Sequence, residues 1–294
     1  MSDAAKRFAL LGDPVAHSKS PAMHAAAYRA LRMPHVYEAI RAKPDELASY
    51  VARLRAGDFA GFNVTVPHKQ RILDHVDAVD ASAIVCGAAN TLVLRPDGSV
   101  RAYNTDAPAL AAEITALAPD QRERWRSATA IVLGSGGAAR SAIAALAIDL
   151  GAARVVVRAR AFDDAAARAS FPSEWTRLLA RSGSSTKIAA APLVPDALVE
   201  PASLIVVQAT SAGMSGASPG DSVASAIDWT SLPSQAVALD VVYTPPETPF
   251  LRAATAHGVR SANGVGMLAR QGALAFELWL GVPAPYNAML TALV

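Results

Sequence analysis

A chain of 294 residues in which 52% are hydrophobic and only 18% charged has core material for two domains, and this composition excludes disorder. A formal charge of +2 without any dense Lys/Arg block excludes the basic stripe that nucleic-acid binding requires. No apolar run reaches the ~18 residues of a membrane span, and the start MSDAAKRFALLGDP lacks an apolar leader core and a cleavage site, so the expected compartment is the cytoplasm.

Short β-branched or apolar runs alternate with longer Ala/Leu-rich periodic segments, the pattern of βα units around a mainly parallel sheet. Strands are predicted at 8–11, 36–40 and 61–66, the last closed by Pro67, with helices near 22–31 and 45–56. Cys86, the single cysteine, can form no internal disulfide and reads as a structural thiol in the apolar stretch 83–89. A hairpin of 91–94 and 100–104 follows, joined by a Pro96-Asp97-Gly98 turn. Asp106 opens a helix to Leu117, and a polar link at 119–127 leads to a fresh strand at 129–133.

That strand runs into Gly134, Ser135, Gly136, Gly137, Ala138 and Ala139, then an apolar helix at 141–150 and a second strand at 154–157. Strand, glycine loop and helix in that order make a phosphate-binding turn. Gly134 permits the tight turn, Gly136 lets backbone approach a pyrophosphate, Ala139 is small enough for helix to lie on strand, and the helix start offers free N–H groups. The plainer alternative is a tight structural βα connection. An NAD site would carry Asp or Glu at the end of the second strand, where this chain has Arg158 and Arg160. A guanidinium there can grip a 2′-phosphate bidentately, which favours NADP over NAD. The other reading is a pair of solvated arginines at a strand end.

Four polar clusters interrupt the apolar first part: GDPVAHSKSP at 12–21, NVTVPHK at 63–69, GAANTL at 87–92 and YNTD at 103–106. Polar residues after strands are where α/β proteins put ligands. Each cluster also has a local reading: Ser18 and Ser20 as helix caps before Pro21, Asn63 and Thr65 as pleat residues, Asp106 as a helix N-cap. His17, His24 and His68 lie beside the clusters without metal-ligand spacing or a carboxylate partner in sequence, so they read as packing or supporting residues, and no metal is expected.

Those clusters, followed by GSGGAA, TSAGM at 210–214, DVVYTPPETP at 240–249 and NGVGMLARQGALAFELWLG at 263–281, closely resemble the shikimate dehydrogenase family over nearly the whole chain. The resemblance implies an α/β fold of two domains, an open α/β substrate-binding domain and a Rossmann dinucleotide-binding domain with a cleft between them. The last helices would return to the substrate domain, giving 1–106 plus 267–294 and, for NADP, 107–266. The implied reaction is NADP-linked, reversible reduction of 3-dehydroshikimate to shikimate, in aromatic amino-acid and chorismate biosynthesis. By motif position, Ser18 and Ser20 would bond the substrate carboxylate with Tyr243 nearby, while Asn63, Thr65, Asn90 and Gln271 would orient ring hydroxyls. Lys69 and Asp106 would sit at the reacting oxygen. Thr210, Gly264 and Met267 would join Gly134 to Ala138, Arg158 and Arg160 around the cofactor.

Hydroxyl and amide side chains suit a small hydroxylated acid, and a site that bonds every hydroxyl rejects analogues lacking one. Hydride transfer belongs to the cofactor, so the protein must place the ring and handle the hydroxyl proton. A charged lysine can act as general acid toward a developing alkoxide, and a nearby carboxylate opposes its loss of that proton while desolvation favours it. Lys69 and Asp106 are therefore expected to act as a coupled pair. Several positions depart from the family pattern: Arg158-Ala159-Arg160 for Asn-Arg-Thr, Ala107-Pro108-Ala109 for the usual glycines, Gln208 for Asn, Ala25 for Asn, and a longer segment at 162–201. A paralogue acting on quinate or an aminoshikimate, a silent NADP-binding regulator and the folate-linked dehydrogenases stay as alternatives. Both monomer and homodimer fit.

Overall fold

The computed structural model describes residues 4–195, 197, 199 and 202–294. Two compact units emerge, Met1–Ala109 with Leu268–Val294, and Leu110–Met267. The first contains β1 (Arg7–Gly12), α1 (Ser20–Ala30), β2 (Val36–Arg41), α2 (Leu47–Arg55), β3 (Gly61–Val64), β4 (Ala78–Val79), α3 (Ala81–Cys86), β5 (Thr91–Leu94), β6 (Val100–Tyr103) and the start of α4 (Asp106–Leu117). The second runs through α5 (Arg122–Trp125), β7 (Thr129–Leu133), α6 (Gly137–Ala144), β8 (Arg154–Arg158), α7 (Ala165–Ala180), β9 (Lys187–Ala191), β10 (Ser203–Gln208), α8 (Asp221–Ala224), β11 (Val237–Asp240), α9 (Pro249–Ala256) and β12 (Arg260–Ala262). Helix α10 (Val265–Leu280) crosses the boundary back, and α11 (Tyr286–Thr291) completes the first unit.

The first sheet has the order β2-β1-β3-β5-β6-β4. Strand β1 pairs in parallel with β2 and β3, and β5 runs antiparallel to β3 and β6. Alternation sends Ala9, Leu11, Phe62, Val64, Leu92, Val100 and Ala102 to one face, where Leu47, Val51 and Leu54 of α2 complete a fully buried core. Phe8 points to the other face and stacks on Trp279 of α10, centroids 4.9 Å apart. Trp279 lies over Gly61, where an added Cβ would meet its Nε1 at 2.2 Å, and that nitrogen donates to Leu92 O at 2.9 Å. The glycine opening β3 is thus required by α10.

The second sheet is all parallel, in the order β12-β11-β10-β7-β8-β9. Counted from β7, this is the 3-2-1-4-5-6 order of a doubly wound dinucleotide fold, with its reversal between β7 and β10. Such folds take their ligand at the carboxyl ends of the two strands flanking the reversal.

Local differences from the expected elements have physical causes. Strand β3 stops at Val64 because Thr65, after a last ladder bond to Leu11 O, accepts from His68 N and closes a turn before Lys69. Helix α6 starts at Gly137 rather than 141, since Gly136 takes an extended N-cap conformation and the two alanines after Gly137 favour helix. Residues Ala145–Asp149 then widen into a π-turn. The long segment 162–201 contributes α7 and β9, and residues 196, 198, 200 and 201 lie outside the described part. Phe171, Trp175 and Leu179 of α7 are buried, and Glu174 pairs with Arg140 of α6 at 2.6 Å.

Candidate active site

In the first unit, the carboxyl ends of β1, β3 and β6 and the start of antiparallel β5 lie at one edge of the sheet. Backbone bonds tie the loops there together: Ala42 N to Gly12 O, Asp13 N to Val66 O, Val64 N to Asn90 O, Ala89 N to Lys69 O and Asn90 N to Tyr103 O. His68, fully buried, donates from Nε2 to Ala42 O at 2.7 Å and fixes the turn that carries Lys69.

Lys69 Nζ donates to Asp106 Oδ2 at 2.6 Å, with the two side chains 13% and 6% exposed. A pair this short and dry is a charge-assisted bond, largely shielded from solvent. Asp106 Oδ1 accepts from Asn90 Nδ2 at 2.9 Å, and the same nitrogen reaches Thr105 Oγ1 at 2.8 Å and Gln271 Oε1 at 3.3 Å. Asn90 Oδ1 accepts from Thr105 N at 2.8 Å. Each carboxylate oxygen of Asp106 thus has one protein donor and lone pairs to spare, whereas the Asn90 amide is consumed in holding Asp106 and Thr105. Asp106 opens α4 without acting as its cap: Asn104 Oδ1 accepts from Ala107 N at 3.0 Å and takes that role. Among the expected residues, Lys69, Asp106, Asn90, Gln271 and Asn63 are brought into one network. Asn63 joins through Nδ2 to Asn90 O at 3.0 Å and Thr91 Oγ1 at 3.1 Å.

Ser18 and Ser20 stand at the end of the β1 loop, Ser18 Oγ accepting from Ser20 N at 3.2 Å. Neither caps α1, whose N-cap is Lys19. Thr65 is half-buried against Gly12, where an added Cβ would meet Thr65 Cγ2 at 2.4 Å. Tyr243 belongs to the second unit, half-buried just after β11. Sequence reasoning singled out neither Thr91 nor Thr105, although both lay inside flagged clusters. It also passed over Tyr37, whose hydroxyl donates to Asn63 Oδ1 at 2.8 Å, because an aromatic in a strand carries no such signal.

In the second unit, Gly134 has φ +114 and donates its N–H to Arg158 O at 2.8 Å. Ser135, Gly137 and Ala138 are half-buried, Ala139 is fully buried, and Gly136 is exposed at the N-cap of α6 with no side-chain cap. The first N–H groups of α6 thus have no side-chain cap, and the positive end of a helix is a place where an anion can bind. Arg158 is buried and directs Nη1 to Ala226 O at 2.9 Å and Ala197 O at 3.3 Å, while Arg160 is exposed. Gln208 ends β10 and holds the next loop with its amide, accepting from Thr210 N and donating to Ala212 O. Gly264, where an added Cβ would meet Val241 O at 2.2 Å, donates its N–H to Val242 O. Met267 is buried in the first turn of α10.

Asp240 ends β11 with no exposed surface, accepting from Val242 N at 2.9 Å and Thr248 Oγ1 at 2.6 Å. Burial pushes its pKa up to about 6 against those two bonds. Among the described residues no group of three or more His, Cys, Asp or Glu could hold a metal ion, and no helix is long and apolar enough to cross a membrane.

A doubly wound unit with a bare glycine cradle at its switch point, in a chain that also carries a buried Lys–Asp pair among amides and hydroxyls, defines a dinucleotide-dependent dehydrogenase. Comparison with known proteins narrows this. The family described as the shikimate dehydrogenase substrate binding domain matches residues 10–92, and the shikimate 5'-dehydrogenase C-terminal domain matches 264–294. The NADP(+) shikimate dehydrogenase of Brucella abortus (strain S19) is 38% identical over 272 residues, covering 92% of this chain and 87% of that protein. The shikimate 5-dehydrogenase of Thermus thermophilus, solved with NADP(H) and shikimate, superposes with a TM-score of 0.76 at 34% identity, covering 98% of both chains. Quinate dehydrogenase from Corynebacterium glutamicum, solved with NAD, reaches a TM-score of 0.81 at 26% identity, again covering 98% of both chains. The chain belongs to the shikimate dehydrogenase family.

Proposed function

We propose that this protein is an NADP-dependent shikimate dehydrogenase, reversibly reducing 3-dehydroshikimate to shikimate in the cytoplasm. The observation that carries the reading is the Lys69–Asp106 pair at 2.6 Å, held in one network with Asn63, Asn90 and Gln271. A bound nicotinamide supplies or takes the hydride. Lys69 donates a proton from Nζ to the oxygen of the ketone as that oxygen gains negative charge, and takes it back in the oxidising direction. Asp106, gripped by Lys69 on one oxygen and Asn90 on the other, keeps lone pairs to accept from the same hydroxyl. Ser18 and Ser20 are assigned to the substrate carboxylate.

The second unit fits a dinucleotide on one observation above others. An added Cβ at Gly136 would meet nothing within 4 Å, and its φ of −78 suits any residue, so the fold itself has no need of glycine there. A pyrophosphate lying against the backbone does need it. Ser135, Gly137, Ala138, Thr210, Gly264 and Met267 complete the proposed cofactor surface. Because Arg158 is buried on two carbonyls, the 2′-phosphate is assigned to exposed Arg160.

The test is an absorbance assay of nicotinamide reduction, crossing shikimate and quinate with NADP+ and NAD+. Shikimate with NADP+ should give the highest kcat/KM, and quinate with NAD+ as the best pair would replace this reading with that of a quinate-oxidising paralogue. Arg160→Ala should lower kcat/KM for NADP+ about tenfold, with NAD+ unaffected, the scale of one charged hydrogen bond.

A further inference from the structure

The Asn63 amide has a polarity set by three bonds. Both hydrogens of Nδ2 are used, on Asn90 O and Thr91 Oγ1, and Oδ1 accepts from Tyr37 Oη at 2.8 Å. An amide so held cannot donate to a ligand, and its remaining capacity is a lone pair on Oδ1. We propose that Tyr37 is a positioning residue that pins Asn63 as an acceptor, so that the ring substituent meeting Asn63 must be a hydrogen-bond donor.

Tyr37 is itself held by packing. It lies in β2, and its side chain reaches past β1 to Asn63 on β3, both residues being on the α1 and α10 face of the sheet. Its ring stacks on His24 with centroids 4.2 Å apart and planes at 10°. His24 is fully buried, and its two ring nitrogens have no hydrogen-bond partner among the described residues. Burial lowers its pKa to about 3, so at neutral pH it is an uncharged plate. Trp279 packs on His24 at 5.6 Å and is anchored in turn by Leu92 O and Phe8. The stack of α1, β2 and α10 aromatics thus delivers one hydroxyl into the polar network at a fixed point.

The consequence is a selectivity rule. An alcohol or an amine can donate to Asn63 Oδ1, whereas fluorine, of similar size to a hydroxyl, cannot, and leaves a buried acceptor unpaired. The inference rests on the proposal that Asn63 faces the substrate ring.

Tyr37→Phe keeps the ring on His24 and removes the hydroxyl. With shikimate and NADP+, kcat/KM for shikimate should fall about tenfold while KM for NADP+ stays fixed. In an Asn63→Ala background the same change should have no further effect, because the amide it acts on is gone. Equal activity of Tyr37→Phe and wild type would overturn the proposal, as would a loss that simply adds to that of Asn63→Ala. An independent measurement uses the wild-type enzyme alone, with shikimate analogues in which each ring hydroxyl other than the one oxidised is replaced in turn by an amine or by fluorine. At one ring position the amine should be turned over at least tenfold more efficiently than fluorine, and equal use at every position would overturn the rule. Failure of wild type to oxidise shikimate would remove the parent reading, which keeps the two failures distinct.

Discussion

Each unit buries an aspartate at the edge of its sheet, and the two are treated differently. Asp106 receives a cation, Lys69, on one oxygen and an amide on the other. Asp240 receives a backbone N–H and a hydroxyl, both neutral, and burial dominates. A buried carboxylate beside an ammonium has its charge balanced by that partner, and the proposed mechanism sets it against a reacting hydroxyl. One with neutral donors only becomes a structural clip. Asp240 joins the two ends of the loop that carries Tyr243, and Thr248, its partner, caps α9 through Leu251 N.

The largest effect is expected from Lys69→Ala, which makes the first site resemble the second by leaving Asp106 with neutral donors alone. Loss of general acid–base catalysis should lower kcat by about 10² or more with a smaller change in KM. The uncompensated buried charge should also cost about 3–5 kcal/mol of stability at neutral pH, read by urea unfolding. An effect on KM alone would make Lys69 a binding residue and dissolve the contrast.

Asp240→Asn tests the other half. The folded pKa lies above the ordinary 3.8, at about 6, so the native state holds the proton more tightly than the unfolded chain. That stabilisation is fully present below 3.8 and lost as pH rises through about 6, an amount of about 3 kcal/mol. Asparagine can still accept from Val242 N, and its Nδ2 faces Thr248 as a donor. The stability of Asp240→Asn relative to wild type should therefore improve by about 2.4 kcal/mol between pH 4 and pH 7.5 by urea unfolding. A difference independent of pH would show that Asp240 does not titrate as a buried acid.

How far the sequence exposes this design depends on whether a residue acts through its neighbours in the chain or in space. The β7, Gly134 and α6 order is legible because strand, turn and helix are consecutive, whereas Lys69 and Asp106 lie in polar clusters with local readings of their own and take their roles from the family resemblance. The local alternative for Asp106 does not hold: it has the right type and place for an N-cap, but its carboxylate is drawn to Lys69, and Asn104 caps instead. Arg158 reads as a ligand arginine at a strand end, yet its guanidinium folds onto Ala226 and Ala197 carbonyls far along the chain. Nothing local announces either long-range partner. The same holds for Gly61, whose reason is Trp279.

The smallest effects discriminate between two glycines of one loop. At Gly134, φ is +114, and an added Cβ would meet Thr210 Cγ2 at 2.9 Å and Ala209 O at 3.1 Å. Gly134→Ala should cost about 1–3 kcal/mol of stability through backbone strain, cofactor or not. At Gly136 the backbone is ordinary and the space open, so Gly136→Ala should leave stability within about 0.5 kcal/mol of wild type. Its methyl group would instead stand where a pyrophosphate has to approach. The expected result is a KM for NADP+ raised about tenfold, the scale of one displaced phosphate contact, with unfolding unchanged. Were Gly136→Ala to lose stability and keep its NADP+ affinity, that glycine would belong to the fold, and the cradle at the head of α6 would be a structural turn.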